Sequence, residues 1–554
     1  MSPFLFRLVT PKAVGILIGV MVSIYAPYSG AVQVDSAFID KQLAEKADAV
    51  GAKLTGRCED GEFQRRLWLD LVGTIPSAEE ARRFLADGSP QKRVALAERL
   101  LADSRFPVRL AEALHLQLME RGGEDEQWLL YLTNSMKENK PWDVLVREMV
   151  APDFKDESKR AAGYFLTRRL EKVGSQTTDY PGLTRDVGRL FMGLDLQCCQ
   201  CHNHLTVNDY KQIDFNGLFT VFQNLKLNEP AGEHKIKWLS EGLMEAKFEF
   251  TSVLSGVKGS TGPRIPLSQE IDIPSLSEAE RWLVPPDKKT NLGGVPKFSA
   301  LQNLAEKLTS KENPQFARNI VNRLWWQFMG RGLVEPLDLS HSGNPASHPE
   351  LLAELASTMV ERQFDLRWLV REIVLSAAYQ RSGKKNAAKQ DIADELFALA
   401  LERRVSAEQF LRAFLTAVGE VERVLEKKGW EGSKETPVDP NKVQTSFRKA
   451  FASVPKEPEL KVDPSLRGAL FLRNNSTILW ALQPRQGNLL DRLLSLESSD
   501  AIAEELYLSF FSRLPDKDES EEVGSILSAS KHRPKTLSKI AWAMAASMEF
   551  YTNH

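Results

Sequence analysis

Four cysteines in 554 residues are too few to staple a chain of this size, which excludes a disulfide scaffold and leaves burial of apolar side chains to hold the fold. Charge of one sign is missing too. The 72 Lys and Arg stand against 74 Asp and Glu, a balance of -2, so the basic footprint of a nucleic-acid binder is absent. Beyond the first thirty residues no apolar run approaches the roughly 20 residues that cross a bilayer. The chain also lacks G-x-S-x-G, H-E-x-x-H and any phosphate-cradling glycine loop, and with them the common hydrolase and nucleotide-enzyme signatures. Asp516-Lys517-Asp518-Glu519-Ser520 opens like a calcium loop but fails as one. Glu521 stands where glycine is required, and Leu527 where the bidentate glutamate belongs.

Hydrophobic residues make up 42% of the chain and include eleven Trp, enough for a folded protein of two or three domains. At the N-terminus Arg7 and Lys12 precede an apolar run from Ala13 to Ala26, followed by Pro27 and Ser29-Gly30-Ala31. That order reads as a secretory signal, residues 1–31, with cleavage after Ala31. The expected location is periplasmic or extracellular, with no transmembrane span once the signal is removed; a signal retained as an anchor is the other outcome.

Periodicity predicts a mainly α, multi-helical fold of two domains joined by a small β-rich connector. Residues 36–225 are densely helical in pattern. Leu67, Leu69 and Leu71 lead to Gly73 and Pro76, and Ser77 with Glu80 forms a capping box that opens a helix through Phe84. The same unit returns at Leu506-Tyr507-Leu508, Pro515, Asp516 and Glu519. It is either a weak internal repeat or the recurrence of a common capping pattern. Residues 226–297 change character: Lys247-Phe248-Glu249-Phe250-Thr251 alternates with period two, and Gly256, Gly259, Gly262, Pro263 and Pro266 punctuate the residues after it. Helices resume in 298–554. Asn313-Pro314 starts one whose face is Phe316, Ile320, Val321, Leu324, Trp325 and Phe328 and whose end is Gly330. Ser347 to Glu350 reads as a capping box, Leu366 to Tyr379 as an amphipathic helix, and Lys427 to Asp463 as a surface excursion.

The chemistry concentrates in Cys198-Cys199-Gln200-Cys201-His202, which contains C-x-x-C-H, the attachment signal of a c-type haem. Two thiols three residues apart can bond the two vinyl positions of the macrocycle, and the next residue places an imidazole at the iron. Cys198 and Cys201 are then the attachment points and His202 the proximal ligand. Leu183, Val187, Leu190, Phe191 and Leu194 before the motif, and Phe215, Leu218, Phe219 and Phe222 after it, would either wall such a cofactor or form ordinary core. No methionine lies between Cys201 and Met244, so the usual downstream sulfur ligand is missing. Met192 and His115 are the distal candidates. Three rival readings of the cysteines stay open: a Cys198–Cys201 disulfide, a Cys58–Cys199 bridge, or zinc on Cys198, Cys201, His204 and a remote fourth ligand.

Arg65-Arg66-Leu67-Trp68-Leu69-Asp70-Leu71 with Gly73 and Pro76, then Thr184-Arg185-Asp186-Val187 through Cys198 to His204, resemble the planctomycete PSCyt-type domain, family fifteen-forty-nine among the domains of unknown function. Asn313-Pro314, Phe316-Ala317-Arg318, Ile320 to Trp325, Gly330 to Val334, Asn344-Pro345 to Leu351 and Tyr379-Gln380-Arg381-Ser382 resemble its usual companion, the PSD type, family fifteen-fifty-three. The resemblance implies architecture more than activity, and the cytochrome-like label rests on the motif mapped here to Cys198, Cys201 and His202. Cys199, Leu205 and Tyr210 depart from the residues common at their positions.

The function expected from these observations is an exported mono-haem c-type protein for electron transfer or redox sensing, working with a redox or envelope protein partner. The alternative is a non-enzymatic envelope or extracellular binding protein that meets a protein or a polysaccharide, with a disulfide, zinc or no cofactor at the motif. An enzyme that uses an open iron site for peroxide chemistry would need a distal acid–base residue, and the sequence names none.

Overall fold

The computed structural model describes residues 34–172, 174, 177–230, 236–287, 293–384, 393–428, 438–456 and 466–553; the expected signal, residues 1–31, lies outside them. Twenty-four α-helices run through the described residues, with four sheets of two antiparallel strands each. The class is mainly α and multi-helical. No helix among the described residues is long and apolar enough to cross a membrane.

Local rules written in the sequence set the helix ends. Helix Asp60–Leu71 is followed by Gly73 at φ 80°, a left-handed position that a side chain would strain. Ser77 then caps helix Ala78–Ala86, its hydroxyl accepting from the Glu80 N–H while the Glu80 carboxylate accepts from the Ser77 N–H. The second unit repeats this step for step. Helix Ser499–Phe511 ends at Ser512 with φ 61°, and Asp516 and Glu519 form the box that opens Lys517–Ser528. The two units also pack on each other: Gln64 donates to the Ser512 carbonyl at 2.8 Å, Arg65 to the Phe510 carbonyl at 2.9 Å, and Leu508 joins Ala78 and Ala81 in one apolar cluster.

Two larger apolar clusters lie beneath the helices. One runs from Val34 to Phe397 and takes residues from both helical segments delimited above. The other runs from Val405 to Phe550 and accepts Leu69 and Ile75 from the helix–turn–helix at the front of the chain. Asp70, 7% exposed, ties them together: it accepts from both terminal nitrogens of Arg403 (3.1 and 2.7 Å), from the Tyr379 hydroxyl (2.7 Å) and from the Asn553 amide (2.9 Å). Arg403–Arg404 also pairs as a strand with Thr552–Asn553, so the chain end is drawn into the same junction.

Between the helical segments lie three hairpins. Leu225–Asn228 pairs with Trp238–Glu241, Phe248–Thr251 with Lys258–Thr261, and Trp282–Val284 with Val295–Pro296. The alternation at Phe248–Thr251 is expressed as a strand with alternating exposure. Gly259 faces Phe250 across the pair, where an added Cβ would stand 2.6 Å from the ring.

Three expectations are corrected. Ser347 is not a cap: His348 is the N-cap residue of Pro349–Glu361, because proline takes the first helical position, and the Ser347 hydroxyl meets His348 Nδ1 at 3.1 Å. Helix Leu366–Leu375 stops short of Tyr379. The Asp40 carboxylate captures the Ala377 and Ala378 N–H groups at 2.7 and 2.9 Å, which turns the chain and buries Tyr379 toward Asp70. The stretch from Lys427 to Asp463, whose residues 429–437 and 457–463 are outside the described ones, is no mere excursion. Asp439 caps helix Pro440–Phe451, which buries Val443, Phe447, Ala450 and Phe451, and Phe410 meets Phe451 with ring centroids 4.7 Å apart.

Candidate functional site

The motif hangs between two helices fixed from below. Helix Tyr180–Met192 is capped by Asp179, whose carboxylate accepts from the Gly182 N–H at 2.8 Å, and ends at Gly193 with φ 69°. Its stripe of Leu183, Val187, Leu190 and Phe191, with Leu194 beyond, is at most 1% exposed and belongs to the protein's own core. Phe215, Leu218 and Phe222 of helix Gln212–Phe222 do the same, with Phe219 packed at the edge. Both stripes are therefore core and offer no free wall to a cofactor.

After Gly193 the chain is clamped. Leu194 bridges Leu339, and the Asp195 N–H donates to the Asp338 carbonyl at 2.8 Å. Cys198–Gln200 then forms a single 3₁₀ turn closed by the Cys201 N–H on the Cys198 carbonyl at 3.3 Å. The turn sorts its three thiols. Cys199, fully buried, points into the core, where desolvation pushes its thiol up to about 12. Cys198 and Cys201 are exposed free thiols. Cys58 is also a buried free thiol, raised by burial.

The two histidines beside the turn are held in different states. His202 Nδ1 lies 2.6 Å from the Asn203 carbonyl; a carbonyl only accepts, so Nδ1 carries the proton and the Nε2 lone pair is left free. His204 Nδ1 accepts from the Val207 N–H at 3.0 Å and the Thr206 N–H at 3.3 Å, which puts its proton on Nε2. An imidazole in that tautomer, with its ring edge to Tyr210 at 5.9 Å, is a loop pin and not a ligand. The zinc reading needed His204, and no three His, Cys, Asp or Glu among the described residues converge on a metal position. The remaining loop is stabilised in the same local way: Asn203 Oδ1 accepts from the Gln212 N–H at 2.9 Å and so supplies the start of the next helix, while Gln200 accepts from Arg185 at 2.8 Å.

Sequence reading missed one neighbour. The Val253 N–H donates to the Cys201 carbonyl at 3.0 Å, which sets the tip of the Phe248–Thr261 hairpin against the motif. Val253, Leu254 and Val257 on that tip, and Leu205 in the motif loop, are 62 to 75% exposed. The run Val253-Leu254 between Ser and Gly residues was the available signal, but only the fold puts it beside Cys201. The proposed distal ligands lie elsewhere: Met192 is core, and His115 accepts from the Trp128 indole at 3.1 Å on Nδ1. Burial holds the His115 imidazole down to about 4.

For a c-type haem the donor set fits. Two solvent-facing thiols on one turn are followed by an imidazole with a free Nε2, and the turn is open and not packed shut. The apolar surface available to the macrocycle is that of Leu205 and the hairpin tip, since the helix stripes are committed to the core.

Comparison with known proteins gives two family matches: residues 38–227 match PSCyt2, a protein of unknown function (DUF1549), and residues 302–461 match PSD1, a protein of unknown function (DUF1553). No curated protein and no solved structure matches the chain. The order and extent of the two matches agree with the motifs on the helices described above, and the chain belongs to the proteins that carry a PSCyt2 domain followed by a PSD1 domain.

Proposed function

We propose that the Cys198–His202 turn is the attachment site of one c-type haem and that the protein, exported from the cytoplasm, serves electron transfer or redox sensing. The observation that carries this reading is the state of His202: its Nδ1 proton is committed to the Asn203 carbonyl, so Nε2 is presented as a ligand beside two exposed thiols. Cys198 and Cys201 would carry the two thioether bonds and His202 the proximal iron bond. When bound, the haem supplies one-electron exchange, with a potential set by axial ligation, burial and hydrogen bonding.

The chain's own residues would do the rest. The Asn203 carbonyl orients the imidazole, Cys199 anchors the turn in the core, and the exposed apolar side chains of Leu205 and the hairpin tip would offer contact to the macrocycle. The solvent exposure of Cys198 and Cys201 would suit exchange with a second redox or envelope protein. Production with haem-maturation machinery in a secreting host, followed by an absorbance spectrum of the denatured and washed protein, tests the reading. A retained Soret band is expected; its absence from the wild type, while a known c-type protein made alongside retains it, overturns the proposal.

The second reading is a non-enzymatic envelope or extracellular binding protein, for a protein or polysaccharide partner, in which Cys198 and Cys201 form a disulfide. The same two exposed thiols, one turn apart, favour it in an oxidising compartment. A thiol count on native secreted protein separates the two, because this version requires haem-free protein lacking two titratable thiols.

A further inference from the structure

Away from the motif, a cavity of about 270 Å³ opens where helices Phe106–Met119, Tyr180–Met192 and Pro314–Met329 meet the segments around Asp338 and Ser406. Neither the cysteines nor His202 line it. Six basic side chains do: Arg109, Arg121, Arg189, Arg323, Arg404 and Lys456, against the acids Glu120, Glu335 and Asp338.

Tracing each charge to its partner shows which cations are committed. Arg189 holds Glu120 through two bonds of 2.6 Å and reaches Asp338 at 3.2 Å; Arg323 takes the other Asp338 oxygen. Arg121 grips Glu408 at 2.6 and 3.0 Å, and Arg109 shares Glu112 with Arg412. Two cations are left over among the described residues. The Arg404 guanidinium meets the Phe451 carbonyl and the Tyr551 ring but no carboxylate among the described residues, and its Nε is buried without a hydrogen-bond partner. Lys456, exposed at the rim, has a backbone bond to the Glu120 carbonyl and no carboxylate partner among the described residues. Glu335, the one lining acid without a basic partner among the described residues, accepts from the Gly332 N–H at 2.9 Å. Helix Ala407–Val418 directs its N-terminal end here through Ser406, adding positive potential. Trp326, Pro336 and Leu337 add apolar surface to the lining.

We propose that this cavity is a binding site for a small organic anion, a carboxylate on a flat or ring-shaped body. Arg404 and Lys456 take the carboxylate, and Trp326 with Leu337 takes the body. A guanidinium matches the planar carboxylate fork, and a mostly formed cavity with a few unspent polar groups is the usual form of a small-molecule site. Its walls come from both matched domains, residues 38–227 and 302–461, so occupancy would tighten the junction between them.

The test is calorimetric titration of the full secreted chain with benzene-1,3-dicarboxylate and, separately, inorganic phosphate, at low and high salt. Saturable binding of the dicarboxylate is expected, weaker at high salt and about tenfold weaker in Lys456→Gln and in Arg404→Gln, the loss of one charge-assisted bond. Lys456 is exposed, so its substitution leaves folding intact even if Arg404→Gln does not. No saturable dicarboxylate binding, binding unchanged in Lys456→Gln, or phosphate bound as tightly as the dicarboxylate would each overturn the proposal.

Discussion

At the cysteine turn two thiols and an imidazole face solvent, on a loop held by bonds made nearby in the chain, by the hairpin tip and by a clamp on Asp338 and Leu339. At Asp70 a single carboxylate is almost wholly buried and takes four side-chain hydrogen bonds from residues 309 to 483 positions away. The turn can lose a side chain, the exposed thiol of Cys198 or of Cys201, without taking a hydrogen-bond partner from a neighbour among the described residues. The junction cannot, because any missing partner strands a charge or a hydroxyl between two apolar clusters. The two regions thus separate chemistry from stability: reactive groups sit on a short local device, and charges in the interior bind distant parts of the chain.

That separation can be broken in order of expected effect. Asp70→Ala should be the most damaging change, since it leaves Arg403 buried and uncompensated; a loss of about 3–5 kcal/mol is expected in urea unfolding. A loss below ~1 kcal/mol would mean that the junction is not what joins the clusters.

The buried histidines come next. His115 and His348 are held down to about 4 in the fold by desolvation, against about 6.5 in the unfolded chain. Between those values the unfolded state binds more protons. The stabilisation due to their neutral forms is therefore complete above about pH 6.5 and is lost as pH falls toward 4, about 2 kcal/mol for each histidine between pH 7 and pH 5. Unfolding curves at the two pH values, compared with those of His348→Gln, should show that share of the slope disappear; an unchanged slope would contradict it.

Within the turn itself the contrast repeats on a smaller scale. Cys199→Ala should cost about 1 kcal/mol through lost packing, whereas Cys198→Ala and Cys201→Ala should each fall within about 0.5 kcal/mol of wild type. Thermal melts of the three haem-free variants rank them, and a larger loss at Cys198 than at Cys199 would reverse the inside–outside assignment of the thiols.

Legibility in the residue order divides along the same line. The capping boxes at Ser77 and Asp516, the Gly330 stop and the alternating strand at Phe248 are short-range devices, and all are realised. The pattern at Ser347 misled because proline at the next position but one shifted the helix start by a residue. Helix Pro440–Phe451 was legible in its Asp439-Pro440 start and its Val443, Phe447, Phe451 stripe, but was obscured by the polar stretches around it. At the site, the thiol and imidazole spacing could be read directly, whereas the tautomer of His202 depends on a carbonyl made available by the loop fold. The Asp70 junction and the anion cavity had no signal at all: their members come from segments hundreds of residues apart, and only the fold reveals which charges lack partners among the described residues.

The most direct measurement is the intact mass of secreted wild type and of the Cys198→Ser/Cys201→Ser variant, each expressed with haem maturation and each accompanied by a melting curve of the haem-free form. The account predicts a covalent haem increment on the wild type alone and coincident haem-free melts. A wild type at its bare polypeptide mass, or a variant whose haem-free form melts far below it, would contradict the claim that this turn is a chemical device separate from the fold that carries it.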